Sequence, residues 1–209
     1  MENKIRLSSG ETAYAETMLP GGTVNEDSNG MTQLDLLSLH LSRGRLFISG
    51  DIDMTMANRF ESAMLHLADN KSPVDIFINS PGGRVDAGLM MYDIIQSYDG
   101  KINMYCTGLA ASMGAVLLAG GQKGRRFILP HSKVMIHEPL IAGGLGGSAS
   151  SIEKTARNIL DIKRLINGIL AENTGRSLTE ISRATATDNY MDARQAVAFG
   201  ICDDIRSIF

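Results

Sequence analysis

The sequence has few of the features that mark secreted, membrane or nucleic-acid-binding proteins. It contains no tryptophan and only two cysteines, Cys106 and Cys202, too few and too far apart for a disulfide framework or a cysteine metal site. We therefore predict two buried thiols in a reducing compartment. The net charge is only −3, and no basic run typical of nucleic-acid-binding arms is present.

Long hydrophobic runs are also missing. The longest apolar run, residues 115–119, is too short to span a bilayer, and the first residues lack the apolar segment of a secretory signal. We therefore expect a cytoplasmic protein with no membrane contact. The 209 residues suffice for one domain with a substantial core. Residues 1–30 are poor in apolar side chains and are predicted to form a flexible arm, followed by a single domain over 31–209.

Apolar strands alternate with amphipathic helices along most of the chain. This alternation predicts an α/β domain with a largely parallel sheet, in which ligands bind at the C-terminal ends of the strands. The predicted strands are 45–49, 74–79, 102–107, 126–130, 133–137 and 201–205; the predicted helices are 31–41, 55–70, 85–97 and 151–173, with shorter helices after Ser177 and Asp192. The helix at 151–173 would span roughly 34 Å. Its apolar stripe either lies across the sheet or packs on another subunit.

Ser112 occupies a predicted strand-to-helix turn, with the first helical turn at 111–114, and small residues surround it. Free N–H groups at a helix N-terminus can stabilise a developing negative charge, as an acyl-transfer nucleophile requires. A serine in this place can equally be a simple helix cap. The turn at 80–83 follows another strand and contains Pro81, Gly82 and Gly83, so it can aim backbone N–H groups at the same edge.

His137 and Asp188 complete a possible catalytic set. His137 closes a predicted strand at the same sheet edge, and Asp188 lies in an irregular linker. Taken alone, His137 can be an ordinary core histidine, and Asp188 can be an ordinary solvated carboxylate in a turn. Together with Ser112 they supply the hydroxyl, the base and the orienting carboxylate of nucleophilic acyl transfer. The segment 143–147 is glycine-rich but matches no phosphate-binding pattern, and we interpret it as flexible.

Four segments in order along the chain resemble the family of the Clp protease proteolytic subunit, ClpP. They are 77–83 (FINSPGG), 108–115 (GLAASMGA), 129–140 (LPHSKVMIHEPL) and 188–193 (DNYMDA). The resemblance extends from about residue 45 to residue 205. It implies the ClpP/crotonase fold of repeated β-α units, with a head domain and a long-helix handle at about 140–173.

The resemblance also implies roles for individual residues. Ser112 would be the nucleophile, His137 the general base and Asp188 the orienting acid. The backbone N–H groups of Gly83 and Met113 would form the oxyanion hole. The substrate would lie along Gly143, Gly144, Leu145 and Gly146.

The assembly implied by the resemblance is a ring of seven subunits, two of which stack into a tetradecameric chamber. Residues 1–30 would supply its axial loop. Unfolded proteins would be threaded in by a separate AAA+ unfoldase, which uses ATP, whereas this chain would need no cofactor and no metal.

This chain departs from the family at several positions. Ala186 and Thr187 replace the acidic residue and the arginine that usually join the two rings. The surface pocket that docks the unfoldase has Asp75, Thr107 and Arg206 where apolar residues are common. Tyr105, Phe127 and Leu129 keep their apolar character there.

Three functions therefore compete. The first is a serine endopeptidase of the ClpP type. The second is a structural or regulatory subunit that is active only beside another ClpP-like chain. The residues at 186 and 187 and those of the docking pocket motivate it. The third is a crotonase-type acyl-CoA enzyme, which shares the fold but has no need of the serine.

Overall fold

The computed structural model describes residues 6–7, 22–27, 30–69, 71–140 and 146–208. The chain divides into two compact units, residues 1–45 and 46–209. In the first, β1 (Arg6–Leu7), β2 (Gly22–Asp27) and β3 (Gly30–Asp35) form an antiparallel sheet, and α1 (Leu36–Ser42) follows. Asp35 caps this helix, because its carboxylate accepts a hydrogen bond from the Ser38 N–H at 3.0 Å.

This N-terminal unit corrects two predictions. Residues 22–27, inside the predicted arm, form β2. The helix predicted over 31–41 begins at Leu36, because residues 30–35 pair with β2 instead. Residues 1–5 and 8–21 lie outside the described residues, and the division into an arm and one domain stays a prediction.

A seven-stranded sheet organises the larger unit. Its main path runs β10-β7-β6-β5-β4, with β8 paired to β6 and β9 paired to β8. The pairs of β6 with β5, β7 and β8 are parallel, as is β7 with β10, whereas β8 and β9 are antiparallel. The strands are β4 (Arg45–Ser49), β5 (Val74–Ser80), β6 (Ile102–Ala111), β7 (Arg126–Ile128), β8 (Lys133–Ile136), β9 (Asn189–Met191) and β10 (Asp204–Ile205).

Helices pack against this sheet and close the core. They are α2 (Met54–Ala68), α3 (Val85–Ser97), α4 (Met113–Ala119), α5 (Ala149–Thr174), α6 (Leu178–Ala184) and α7 (Ala193–Phe199). Every residue of α4 is buried, so this helix lies at the centre of the fold. The α/β class with a largely parallel sheet is confirmed. The division into head and handle stays a prediction.

Most predicted boundaries shift by a few residues, and one shift bears on function. β6 continues to Ala111 because residues 109–111 pair with β8, so α4 begins at Met113 rather than at Ala111. Ser112 is therefore the single residue between strand and helix. The predicted last strand shortens to β10.

The predicted caps near the C-terminus are confirmed. Ser177 begins α6 and Asp192 begins α7, each with a capping box. Gly175 ends α5 and Gly200 ends α7, both in left-handed conformations.

The longest helix, α5, has 26 residues and extends about 39 Å. Its buried residues, Ile166, Asn167 and Leu170, lie in its C-terminal half. Apolar side chains are exposed elsewhere on this helix: Leu160 at 53%, Leu165 at 50% and Ile152 at 38%.

Across the described part of the chain, the helices are too short or too polar to cross a bilayer.

Candidate active site

The backbone of Ser112 is fixed from both sides in an unusual conformation. Its φ of 52° and ψ of −121° are rare for a residue with a side chain, and such strain costs about 1–3 kcal/mol. Its N–H donates to the Met135 carbonyl at 2.8 Å, and its own carbonyl accepts from Ala115 at 3.0 Å and Val116 at 3.1 Å. The Ser112 side chain makes no capping bond to α4. The alternative that it merely caps the helix is therefore wrong, and its hydroxyl points elsewhere.

The hydroxyl contacts His137, and the antiparallel register of β8 and β9 explains how Asp188 joins them. Ile136 pairs with Asn189, so the next positions outward, His137 and Asp188, face each other. His137 Nε2 lies 2.9 Å from Ser112 Oγ, and His137 Nδ1 lies 3.2 Å from Asp188 Oδ1. The three predicted catalytic side chains are brought together by β6, β8 and β9.

The hydrogen-bond chemistry selects one arrangement of protons. A carboxylate only accepts, so His137 Nδ1–H donates to Asp188. In the neutral imidazole Nε2 is then free to accept the Ser112 hydroxyl proton. The His137 side chain is 15% exposed and that of Asp188 is 60% exposed, so the carboxylate faces solvent.

The turn after β5 lies against the backbone of Ser112 and Met113. A Cβ added to Gly82 would fall 2.6 Å from Ser112 Cβ and 3.1 Å from Met113 N, so only glycine permits this approach. The buried Ser80 holds the turn, because its Oγ accepts from the Gly82 N–H at 3.0 Å and donates to the Gly50 carbonyl at 2.6 Å.

Gly83 lies against the backbone of Ile52. Its φ is 153°, and a Cβ there would fall 2.2 Å from the Ile52 carbonyl oxygen. Ile52 brackets it, donating its N–H to Gly82 and accepting from Arg84, each at 2.8 Å. Within the described residues, the N–H groups of Gly83 and Met113 have no acceptor. They are thus available for an oxygen carried by a ligand.

An apolar recess opens beside the hydroxyl and the imidazole. Besides Ser112 and His137 it is lined by Val85, Met113, Val116, Ile136, Pro139, Ile166 and Leu170. The sequence reasoning missed the contribution of α5. The spacing of Ile166 and Leu170, four residues apart on one helical face, was the available signal.

The predicted substrate-binding segment, 143–146, is only partly described by the structure. Gly143, Gly144 and Leu145 lie outside the described residues. Gly146 lies shortly before Ser148, whose side chain caps α5, and nothing is within 4 Å of the position its Cβ would take. The role of this segment in substrate binding stays a prediction.

One face of the sheet carries a row of aromatic rings. Phe47, Phe77, Tyr105 and Phe127 follow one another across four strands, with ring centroids 5.3, 5.1 and 5.2 Å apart. The Arg206 guanidinium lies 4.2 Å above the Phe127 ring. It extends the row instead of interrupting it, because a guanidinium stacks favourably on an aromatic face.

The other polar substitutions at this face are satisfied locally. Asp75 accepts a hydrogen bond from Asn103 at 2.8 Å, and Thr107 donates to the Ile78 carbonyl at 3.3 Å.

Ala186 and Thr187 are exposed just before Asp188.

Neither thiol takes part in this chemistry. Cys106 and Cys202 are both buried, as predicted, and burial raises the pKa of each thiol. They therefore stay protonated and unreactive at neutral pH.

The chain is similar to a known protein family. Residues 28–208 match the family described as Clp protease. The match covers most of the chain, and the protein belongs to this family.

Proposed function

We propose that this member of the Clp protease family is a serine endopeptidase in which Ser112 is the nucleophile, His137 the general base and Asp188 the orienting acid. Family membership supports a peptidase, generally of the serine type. The observation that carries the assignment of residues is the unbroken chain of contacts from Ser112 Oγ through both nitrogens of His137 to Asp188 Oδ1. This chain matches the requirements of acyl transfer by a serine.

In the proposed reaction Ser112 Oγ attacks the peptide carbonyl while its proton passes to His137 Nε2. The carbonyl oxygen becomes an oxyanion, and the N–H groups of Gly83 and Met113 donate to it. His137 then gives its proton to the leaving amine, and the peptide bond breaks to leave an acyl ester on Ser112. Water hydrolyses this ester by the same proton transfers, and Asp188 stabilises the imidazolium in both halves.

The recess beside the nucleophile would bind the side chain that precedes the scissile bond. Its lining of Met113, Val116, Ile166 and Leu170 is apolar, so we expect medium-sized apolar residues to be accepted and acidic residues to be excluded. Peptide hydrolysis by this set needs no metal or other cofactor in the chain.

The proposal also covers the assembly of the protein. Clp proteases generally form rings that work with AAA+ unfoldases, and we expect seven-membered rings stacked in pairs. The exposed Ile152, Leu160 and Leu165 on α5 would be covered by stacking. The aromatic row, extended by Arg206, would receive an apolar loop of the unfoldase.

Ala186 and Thr187 favour a second candidate function. These exposed residues offer no charge with which to join two rings. A subunit that acquires its active alignment only beside a different ClpP-like chain is therefore the alternative. A crotonase-type acyl-CoA reaction is not proposed, because it gives no role to the contact of Ser112 with His137.

Fluorogenic peptides test the proposal directly. Peptides that differ only in the residue before the scissile bond, methionine or leucine against aspartate, would be offered to the purified protein and to Ser112→Ala. We expect hydrolysis after the apolar residue at least tenfold faster than after aspartate, and none by the variant. Equal activity of the variant would overturn the proposal. Activity that appears only on mixing with a second ClpP-like chain would establish the alternative.

A further inference from the structure

Four residues form a closed set of contacts beside the candidate triad, which we call the brace: Glu138, Lys163, Asn167 and Thr185. The Glu138 N–H donates to the Thr185 carbonyl at 2.7 Å, and Lys163 Nζ donates to Glu138 Oε2. Thr185 Oγ1 lies 3.3 Å from Asn167 Oδ1. Lys163 and Asn167 are four residues apart on α5, so they share one face of that helix.

The brace lies next to the candidate triad along the chain. Glu138 directly follows His137, and Thr185 lies three residues before Asp188. Thr185 is fully buried and Asn167 is 6% exposed, so this corner is fixed in the core. The corner made by Glu138 and Lys163 is the adjustable one, because their side chains remain 37% and 31% exposed.

Other ion pairs on α5 provide a contrast. Glu153 with Arg157 and Asp161 with Arg164 join residues of the helix to one another, and their side chains are 62% to 77% exposed. The pair of Glu138 and Lys163 instead joins α5 to the strand end that carries His137, in a less exposed setting. Breaking this pair would free the Glu138 side chain, next to His137, from α5. It would not remove any residue from the core.

We propose that Glu138 and Lys163 are positioning residues of the peptidase, whose ion pair sets the alignment of His137 with Asp188 and couples it to the placement of α5. This inference rests on the proposed function. Neither residue touches the reacting atoms. Loss of the pair should therefore lower kcat and leave KM unchanged, since Ile166 and Leu170, by which α5 lines the apolar recess, are held by their own burial in the core.

The ion pair also makes the alignment sensitive to salt. A pair that is about one-third exposed is partly screened, and dissolved ions weaken it further. We expect the wild-type rate to fall when NaCl is raised from low concentration to about 1 M. A variant without the pair should start from the lower rate and show little further change.

The rate at which a fluorophosphonate modifies Ser112 measures the alignment. We expect Lys163→Met, which keeps the aliphatic stem, to react roughly fivefold more slowly than wild type, a change near the upper end for a partly exposed ion pair. The exchanged variant Glu138→Lys/Lys163→Glu should recover at least half of the wild-type rate. Arg157→Met, which breaks an exposed pair on the same helix, is the matched control and should react like wild type.

The outcomes separate this inference from the proposed function. If wild type itself is not modified, the proposed function fails. If wild type and Lys163→Met react at equal rates, the positioning role is overturned and the peptidase assignment stands. Should Lys163→Met fail to fold, Glu138→Gln keeps the volume and an acceptor. An unchanged rate and salt dependence in that folded variant would equally overturn the inference.

Discussion

The two contacts of His137 are built by different parts of the molecule. The inner contact, with Ser112, joins the end of β6 to the end of β8. Three backbone hydrogen bonds hold the N–H and the carbonyl of Ser112, to Met135, Ala115 and Val116. The outer contact, with Asp188, reaches a carboxylate that is 60% exposed. The proposed nucleophile is thus held by core elements, whereas the proposed orienting carboxylate faces solvent.

This difference suggests where activity is controlled. Moving Ser112 would require repacking a fully buried helix, because every residue of α4 lies in the core. Moving Asp188 would require changes only in the short link between Thr185 and β9. Partners or ring contacts near 186 and 187 would therefore act on the outer contact.

The largest effect should come from removing the residue that both contacts share. His137→Ala removes the proposed base, and we expect kcat/KM for a fluorogenic peptide to fall roughly 10⁴-fold or more. His131→Ala, at an exposed histidine outside the triad, is the control. Retention of a tenth of the activity by His137→Ala would contradict the assignment of the base.

A smaller loss should follow damage to the inner side alone. In Gly83→Ala the new Cβ would overlap the Ile52 carbonyl, which must displace the Gly83 N–H from the oxyanion position. We expect kcat to fall about 10²- to 10³-fold, the usual loss for one such donor. Gly124→Ala tests backbone strain alone, because Gly124 also has a positive φ but has open space around it. Equal losses in the two variants, measured on folded protein, would refute the role of Gly83.

The smallest effect should come from neutralising the outer partner. A buried carboxylate at this place in a serine protease contributes roughly 10⁴-fold. Because Asp188 is exposed, water also stabilises the imidazolium, and we expect Asp188→Asn to lower kcat only about 10- to 100-fold. Asp161→Asn removes an exposed carboxylate elsewhere and should have no effect. A loss in Asp188→Asn as large as in His137→Ala would show that the two contacts do not differ as described.

The sequence predicted those parts of the fold that depend on local periodicity. The strand at 45–49 and the helix at 85–97 appear with the predicted bounds, because each has an uninterrupted pattern and a clear stop. The hairpin of β2 and β3 was missed, because its strands carry polar and charged residues such as Asn25, Glu26 and Asp27.

The sequence was enough to predict which residues form the candidate site, but not the contacts that hold them in place. Ser112 and His137 stand at strand ends, so parallel strands place them at one edge. Asp188 reaches His137 only through the pairing of β8 with β9. The two residues are 51 positions apart in the sequence, so no local pattern reveals their contact. The contacts of Glu138 with Lys163 and Thr185 likewise join segments that are distant along the chain, so no local pattern indicates the brace.

The most direct test of this account is the intact mass of the purified wild-type chain after treatment with a fluorophosphonate, beside Ser112→Ala. The inner contact is complete within one chain, so we predict a single adduct on wild type and none on the variant. Peptide mapping should locate the adduct at Ser112. No adduct on folded wild-type protein, or an equal adduct on the variant, would contradict the claim that the core of this chain builds the nucleophile.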